Sequence, residues 1–288
     1  MTSDLGAPPR IDAPRPKVWP VFFATAAALL IATAISTALL TLYALLFVLP
    51  DLEPGRDLQD VLHAVARDDV VGLTTGVAGS ATALSWLALR MTPFAERRGI
   101  LRLDRPAAFD VLLTVLGMLA LTAALSELIA LLDLSDYGAL EMLRAVLSRL
   151  SLAERASLLP VTAVAAAFAE ELFFRGYALG KLERALGSGF AILLSAALFG
   201  AIHLDPLHSI AAAMMGLYLG YAAFATGSVW TTIAAHFVNN AIATLAPELA
   251  METDPGRVAV IAAGLAGTGL AVWGLSSGRT RRRSSAAC

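Results

Sequence analysis

Charged residues are scarce in this chain of 288 residues, making up 15% of it against 58% for hydrophobic residues. A soluble globular domain usually carries about 25% charged residues, so this composition excludes an ordinary soluble enzyme and any disordered class. A single cysteine excludes a disulfide framework and a metal cluster held by several cysteines. The formal net charge of -2 gives no reason to expect a nucleic-acid partner.

The sequence contains several long apolar segments. A helix needs roughly 20 apolar residues to cross a hydrocarbon core about 30 Å thick. The runs are continuously apolar, which is typical of membrane helices, and the sequence predicts an all-α polytopic transmembrane bundle with about eight spans. These spans are Val18–Leu49, Val70–Met91, Phe109–Leu132, Ala156–Phe174, Gly189–Leu204, Ser209–Ala225, Val229–Ala246 and Val258–Leu275.

Composition divides the chain into four segments. We expect a mobile N-terminal tail over 1–17, a first group of membrane helices over 18–155, a second over 156–275 and a basic tail over 276–288. Leucines alternate with arginines at helical spacing in Ala139–Leu152, which predicts an amphipathic helix on the membrane interface. Small-residue pairs at Gly216/Gly220 and Gly72/Gly76 predict close helix packing.

The distribution of basic residues predicts the orientation. If the N-terminus is cytoplasmic, fifteen of the 21 Lys and Arg residues fall on the cytoplasmic side of the predicted spans. Positively charged loops favour the cytoplasm. We therefore expect both termini in the cytoplasm and the chain in the inner (plasma) membrane of the cell, with the lipid bilayer as its surroundings.

Two adjacent acidic residues stand at the end of one apolar run, in Glu170-Glu171-Leu-Phe-Phe-Arg175. Because charge resumes only at Lys181, we expect the helix to continue to about Leu186 and to bury Glu170. Glu171 and Arg175 are four residues apart with the acid first, which is the favourable order for a helical ion pair. That pairing leaves Glu170 free. An interfacial salt bridge at the end of a span is the alternative, although one carboxylate would suffice for it.

Two further pairs of residues repeat this four-residue spacing within apolar segments. Phe199 and His203 share a helical face in the fifth predicted span, and His236 and Asn240 share one in the middle of the seventh. Polar side chains at membrane depth are costly and face the interior of a bundle. Hydrogen bonding between packed helices is the alternative explanation for the second pair.

Other polar residues near these pairs have simpler explanations. His208 follows Pro206 in a short loop, and His63 lies in an acidic loop, so both are predicted at the surface. Asn239 points away from the face of its neighbours and is predicted to connect helices by hydrogen bonding. Glu127 is an acidic residue within the third predicted span.

The three motifs Glu-Glu-x-x-x-Arg, Phe-x-x-x-His and His-x-x-x-Asn stand in one order on separate predicted spans. In this order and membrane context the sequence resembles the type II CAAX prenyl endopeptidase family, also called the CPBP or Abi family of intramembrane glutamate-dependent proteases. The resemblance covers Leu158–Pro247 and makes 156–275 the protease core. It implies hydrolysis of a peptide bond in a membrane-associated or C-terminally processed protein or peptide.

The resemblance also implies a role for each motif residue. Glu170 and His203 would position and deprotonate a water molecule. His236 and Asn240 would donate hydrogen bonds to the oxyanion of the tetrahedral intermediate. Three supporting residues would hold the site together: Glu171, Arg175 and Phe199.

The need for a metal ion is open at this point. Glu170, His203 and His236 resemble a zinc ligand set, since histidine and glutamate are ordinary zinc ligands. The sequence lacks His-Glu-x-x-His, the spacing that places two ligands around one ion on a single helix. We therefore favour a mechanism without metal or other cofactor, with zinc as the alternative.

Two other classes of protein fit buried polar residues. A transporter relays protons or binds solutes through such groups, but it often carries an internal repeat, and none is visible here. A non-catalytic scaffold or immunity protein could keep the family fold, although a protein without activity would be free to lose the motifs. A protease is the interpretation that we carry forward.

Overall fold

The computed structural model describes residues 17–51, 69–247 and 256–286, together with positions 59, 61 and 65. Regular structure in these ranges is helical, and strand-like pairing there amounts to an isolated bridge between Leu103 and Ser228. The predicted all-α fold is confirmed. Residues 1–16 of the predicted N-terminal tail, and His63, lie outside the described residues.

Ten helices are described, and most of their ends lie within a few residues of the predicted ones. The first continues from Tyr43 as a π-helical turn, Ala44–Val48. The last continues past Ser276, where the basic tail was predicted to begin. The helices are α1 (Trp19–Tyr43), α2 (Asp69–Arg90), α3 (Arg97–Ile100), α4 (Ala108–Leu131), α5 (Gly138–Ser148), α6 (Leu152–Leu186), α7 (Ser188–Ala201), α8 (Pro206–Thr226), α9 (Val229–Leu245) and α10 (Arg257–Ala286).

Six of these helices are long and apolar enough to cross a membrane, namely α1, α2, α4, α6, α8 and α10. The fifth and seventh predicted spans form shorter helices, because α7 has 14 residues and α9 has 17. At 1.5 Å per residue they are about 21 Å and 25 Å long, less than a hydrocarbon core of about 30 Å. The prediction of a polytopic bundle is confirmed, with two of the eight predicted segments shorter than a full crossing.

Helix α6 is a continuous element of 35 residues that contains the acidic motif. It begins with a capping box, in which the Ser151 side chain accepts from the backbone N–H of Glu154 and the Glu154 side chain accepts from that of Ser151. It ends at Leu186, before Gly187 with φ 79°. The predicted continuation of the helix past the motif is therefore confirmed.

Small residues set the spacing between neighbouring helices. A Cβ on Gly216 of α8 would lie 3.1 Å from the Cα of Ala196 on α7, so the close packing predicted there is present. The pair Gly72/Gly76 has no atom within 4 Å of such a Cβ, and the prediction for that pair is wrong. The close approach of α2 to α1 lies at Gly79 instead, where a Cβ would meet Oγ of Ser36 at 2.3 Å.

Candidate active site

Irregular backbone in α6 brackets the two carboxylates. π-Helical segments run over Pro160–Ala165 and Leu172–Ala178, and the regular turn Ala166–Glu171 lies between them. A proline inside a helix removes one N–H and clashes with the preceding turn, which accounts for the first irregular segment. π-Helical turns within α-helices are frequent at functional sites. Glu170 and Glu171 are the last two residues of the regular turn.

A fully buried ion pair joins Glu171 to Arg175. Oε1 of Glu171 lies 2.7 Å from Nη1 of Arg175, and both side chains have 0% exposure. The predicted pairing is confirmed. Arg175 also lies over the ring of Phe199, with 4.2 Å from its guanidinium carbon to the ring centroid. This cation–π contact adds to the stabilisation of a charge that is removed from water.

His236 of α9 lies between the two carboxylates of α6. Its Nδ1–H donates to Oε1 of Glu171 over 2.8 Å, while its Nε2 lies 3.8 Å from Oε2 of Glu170. The Glu171 bond orients the imidazole and directs Nε2 to the side of Glu170. The sequence contains no signal for this contact, because 65 residues separate the two partners.

Phe199, in the last turn of α7, and His203, just after the helix, share one face, as predicted. Nδ1–H of His203 donates to the carbonyl of Phe199 over 2.9 Å, which leaves Nε2 as the basic nitrogen of the neutral ring. The Phe199 ring centroid lies 5.1 Å from that of His203 and 6.0 Å from that of His236. Phe199 therefore contacts both motif imidazoles and Arg175.

Asn240 faces α6, as does His236 one turn earlier. Its side-chain amide donates to the carbonyl of Thr162 over 3.1 Å. Thr162 lies in the first π-helical segment, where the regular bonding of backbone carbonyls is interrupted. The neighbouring Asn239 instead accepts from the Thr122 hydroxyl of α4 over 2.7 Å, in agreement with its predicted role between helices.

His208 is not at the surface, and the prediction that placed it there is wrong. It is half-buried, and its ring centroid lies 4.2 Å from that of His203. The reason is that Asp205 caps α8 and Pro206 starts it, so His208 falls in the first helical turn. The Asp-Pro pair is a sequence signal for a helix start, and it could have located this residue.

A cavity of about 570 Å³ adjoins the cluster, and His208, Asn239 and Asn240 line its end near the motif residues. Leucines of the amphipathic helix α5 form one wall. The apolar face of α5, predicted to lie on the membrane interface, thus faces this cavity. Glu127, also in the lining, lies 3.5 Å from Nε of Arg257 on α10.

The candidate metal ligands do not form a metal-binding group in this arrangement. No set of three or more His, Cys, Asp or Glu side chains among the described residues is placed to hold a metal ion. We therefore derive no chemical step through zinc, and metal dependence stays a question for experiment.

The helices and the buried cluster define a multi-pass membrane protein with a polar site built between its helices. Residues 153–242 match the model of a protein family described as type II CAAX prenyl endopeptidase Rce1-like. All the motif residues from Glu170 to Asn240 lie inside the matched segment, so the predicted resemblance to this protease family is confirmed over residues 153–242, about a third of the chain. The matched segment begins after helices α1–α5 and does not include them. No curated protein and no solved structure matches the chain.

Proposed function

We propose that this protein is an intramembrane endopeptidase that hydrolyses a peptide bond of a membrane-associated protein or peptide. The observation that carries the proposal is the convergence of the three motifs, with His236 of α9 held 2.8 Å from Glu171 and 3.8 Å from Glu170 of α6. A carboxylate, imidazoles and an amide beside an apolar cavity are the groups that hydrolysis of an apolar peptide requires.

Water activation is assigned to Glu170 and His203. Glu170 is not committed to the buried ion pair that Glu171 forms with Arg175, so its carboxylate is available to accept a proton. His203 presents Nε2 as a second acceptor, because its Nδ1–H is bonded to the Phe199 carbonyl. The activated water attacks the substrate carbonyl, and the accepted proton is then delivered to the leaving amine.

Oxyanion stabilisation is assigned to His236 and Asn240. When His236 is protonated, Nε2–H is the donor that remains, because Nδ1–H is used by Glu171. The Asn240 amide has two N–H groups, of which one donates to the Thr162 carbonyl, and the other is left for the substrate. Donors held in place before the reaction stabilise the developing charge at little reorganisation cost.

The cavity beside these residues is proposed to receive the apolar part of the substrate. Its lining comes mainly from α4, α5, α8 and α9 and includes few charged side chains. The family description suggests prenylated C-terminal sequences as probes. Suitable probes are fluorogenic peptides that end in Cys-aliphatic-aliphatic-X, with and without a prenyl group on the cysteine.

The decisive test is Glu170→Gln in purified protein reconstituted in lipid. Loss of a general base lowers the rate by about 10²–10⁴-fold, so we expect at least a hundredfold loss of kcat. Glu154→Gln is the matched control, because it lies on the same helix, is exposed and keeps the capping box. Cleavage by Glu170→Gln at the wild-type rate, or no cleavage of any probe by the wild-type protein, would contradict the proposal.

Metal independence is tested separately on the same probes. We expect activity to survive exhaustive chelation, with no stoichiometric zinc by elemental analysis. Loss of activity on chelation with rescue by zinc alone would overturn this part of the proposal. Glu170 would then be interpreted as a zinc ligand instead of a general base.

A further inference from the structure

The ring of His203 contacts two other rings. One is Phe199, with 5.1 Å between ring centroids and an interplanar angle of 86°. The other is His208, with 4.2 Å between centroids and an angle of 56°. His208 belongs to none of the three motifs. Nδ1–H of the His203 side chain donates to the Phe199 carbonyl.

Hydrogen bonding to the backbone of its own helix end does not by itself fix both side-chain torsions of a histidine. Packing against two rings restricts the remaining freedom, because ring pairs at these centroid distances attract each other in preferred orientations. The position of Nε2 of His203, the nitrogen proposed to accept from water, therefore depends on both of its ring neighbours.

The turn that carries His208 is itself tightly specified. The backbone N–H of His208 donates to Oδ1 of Asp205 over 2.9 Å, and Pro206 occupies the first helical position between them. Leu204 has φ 58°, a left-handed conformation that is uncommon for residues other than glycine, and its side chain is exposed. Such a conformation persists where the surrounding structure fixes it.

We infer that His208 is a positioning residue that holds the imidazole of His203 in its productive orientation. His208 also belongs to the lining of the cavity. The inference rests on the proposed function, because it assigns His208 an effect on the rate of hydrolysis through His203. It does not require His208 to exchange a proton.

The test compares two variants on the probe peptide that the wild-type protein cleaves fastest. His208→Ala removes the ring, and we expect kcat to fall about tenfold with KM within twofold of wild type, since small misplacements of a reacting group are costly. His208→Phe restores an aromatic face without an ionisable group, and we expect kcat within about threefold of wild type. Ile210→Ala is the control, because Ile210 lies on the same helix and is exposed.

Three results would overturn the inference. Wild-type kcat in His208→Ala would mean that the ring is not needed. A rise in KM alone would make His208 a wall of the cavity. A folded His208→Phe protein as slow as His208→Ala would mean that the imidazole itself is required. Glu170→Gln is assayed in parallel to distinguish a failure of this inference from a failure of the proposed function. If Glu170→Gln cleaves the probe at the wild-type rate, the proposed function itself is contradicted.

Discussion

His236 donates from Nδ1 to the same carboxylate oxygen of Glu171 that Arg175 contacts, at distances of 2.8 Å and 2.7 Å. One buried oxygen thus holds an arginine of its own helix and a histidine of another. Glu170, one residue earlier, keeps both of its oxygens outside this ion pair. We therefore expect substitutions of the two acids to have different effects, with Glu171 controlling stability and Glu170 controlling activity.

The first prediction concerns Glu171→Gln. The substitution leaves the Arg175 guanidinium fully buried without a counter-charge, and breaking a buried pair in this way costs about 3–5 kcal/mol. We expect a large fall in the thermal unfolding temperature of the purified protein. Glu170→Gln, whose side chain is partly exposed, should unfold near the wild-type temperature.

A double variant provides the control for this prediction. Replacing both members of a buried pair by uncharged groups is often neutral, so Glu171→Gln with Arg175→Met should recover much of the lost stability. If Glu171→Gln alone unfolds like the wild type, the buried pair is not the stabilising element that its geometry indicates.

The second prediction uses pH and Asp205, which lies in the turn outside the long helices. The backbone N–H of His208, donating to its carboxylate, lowers the pKa of Asp205 below the ordinary value. Stability from a lowered pKa is present above the unfolded value of about 3.9 and is lost as pH falls through the folded value. The unfolding temperature of wild type should therefore exceed that of Asp205→Ala at neutral pH, and the difference should shrink in acid.

Asp205→Asn distinguishes charge from hydrogen bonding in this turn. Asparagine keeps a side-chain oxygen for the cap, so we expect it to unfold close to wild type at neutral pH. A difference between wild type and Asp205→Ala that stays constant down to pH 2 would show that the carboxylate does not stabilise the turn through its ionised form.

The third prediction concerns the contact between α7 and α8. A Cβ on Gly200 would lie 2.4 Å from the carbonyl oxygen of Ser209, so the two helices must move apart in Gly200→Ala. Overpacking of this kind costs about 1–3 kcal/mol, and it would also displace His203, three residues later. We expect a lower unfolding temperature and a lower kcat.

Gly189→Ala is the matched control on the same helix. No atom lies within 4 Å of a Cβ at Gly189, so the substitution should be neutral or slightly stabilising through helix propensity. Equal behaviour of the two variants would contradict the close helix contact at Gly200.

The fourth prediction fills the cavity from the amphipathic helix. Leu143 lines the cavity, and Leu143→Trp should raise KM for the probe peptides at least several-fold by occupying space proposed for substrate. Met142→Trp is the control, since Met142 is its neighbour on α5 but has 69% exposure and is not in the lining. Unchanged KM in a folded Leu143→Trp protein would place the substrate elsewhere.

Some of the site could be predicted from local spacing. Glu171 and Arg175 meet because side chains four residues apart share a helical face, and Phe199 and His203 do so for the same reason. The helical segments followed from apolar run length, since backbone polar groups in a membrane must bond within their own helix. Helix α7 ends three residues before the predicted span does, because the apolar run continues into the following turn.

Contacts between helices could not be predicted in this way. Three such contacts are the bond from His236 to Glu171, the ring contact between His208 and His203, and the bond from the Asn240 amide to the Thr162 carbonyl. The spacing of these residues in the sequence does not indicate that they meet. The sequence predicts His208 at the surface because Asp205-Pro206 is typical of a loop. In the structure this pair starts α8, and the first turn of that helix places the His208 ring against His203.

The sequence by itself determined which residues lie in apolar helices and which of them bear chemistry, because both depend on composition and on a period of 3.6 residues. The tertiary structure alone decided how the two adjacent carboxylates divide their contacts with α9, where His236 bonds to Glu171 and directs Nε2 towards Glu170. That division depends on where α9 packs against α6, and the packing of two helices is set by the shapes of all the side chains between them.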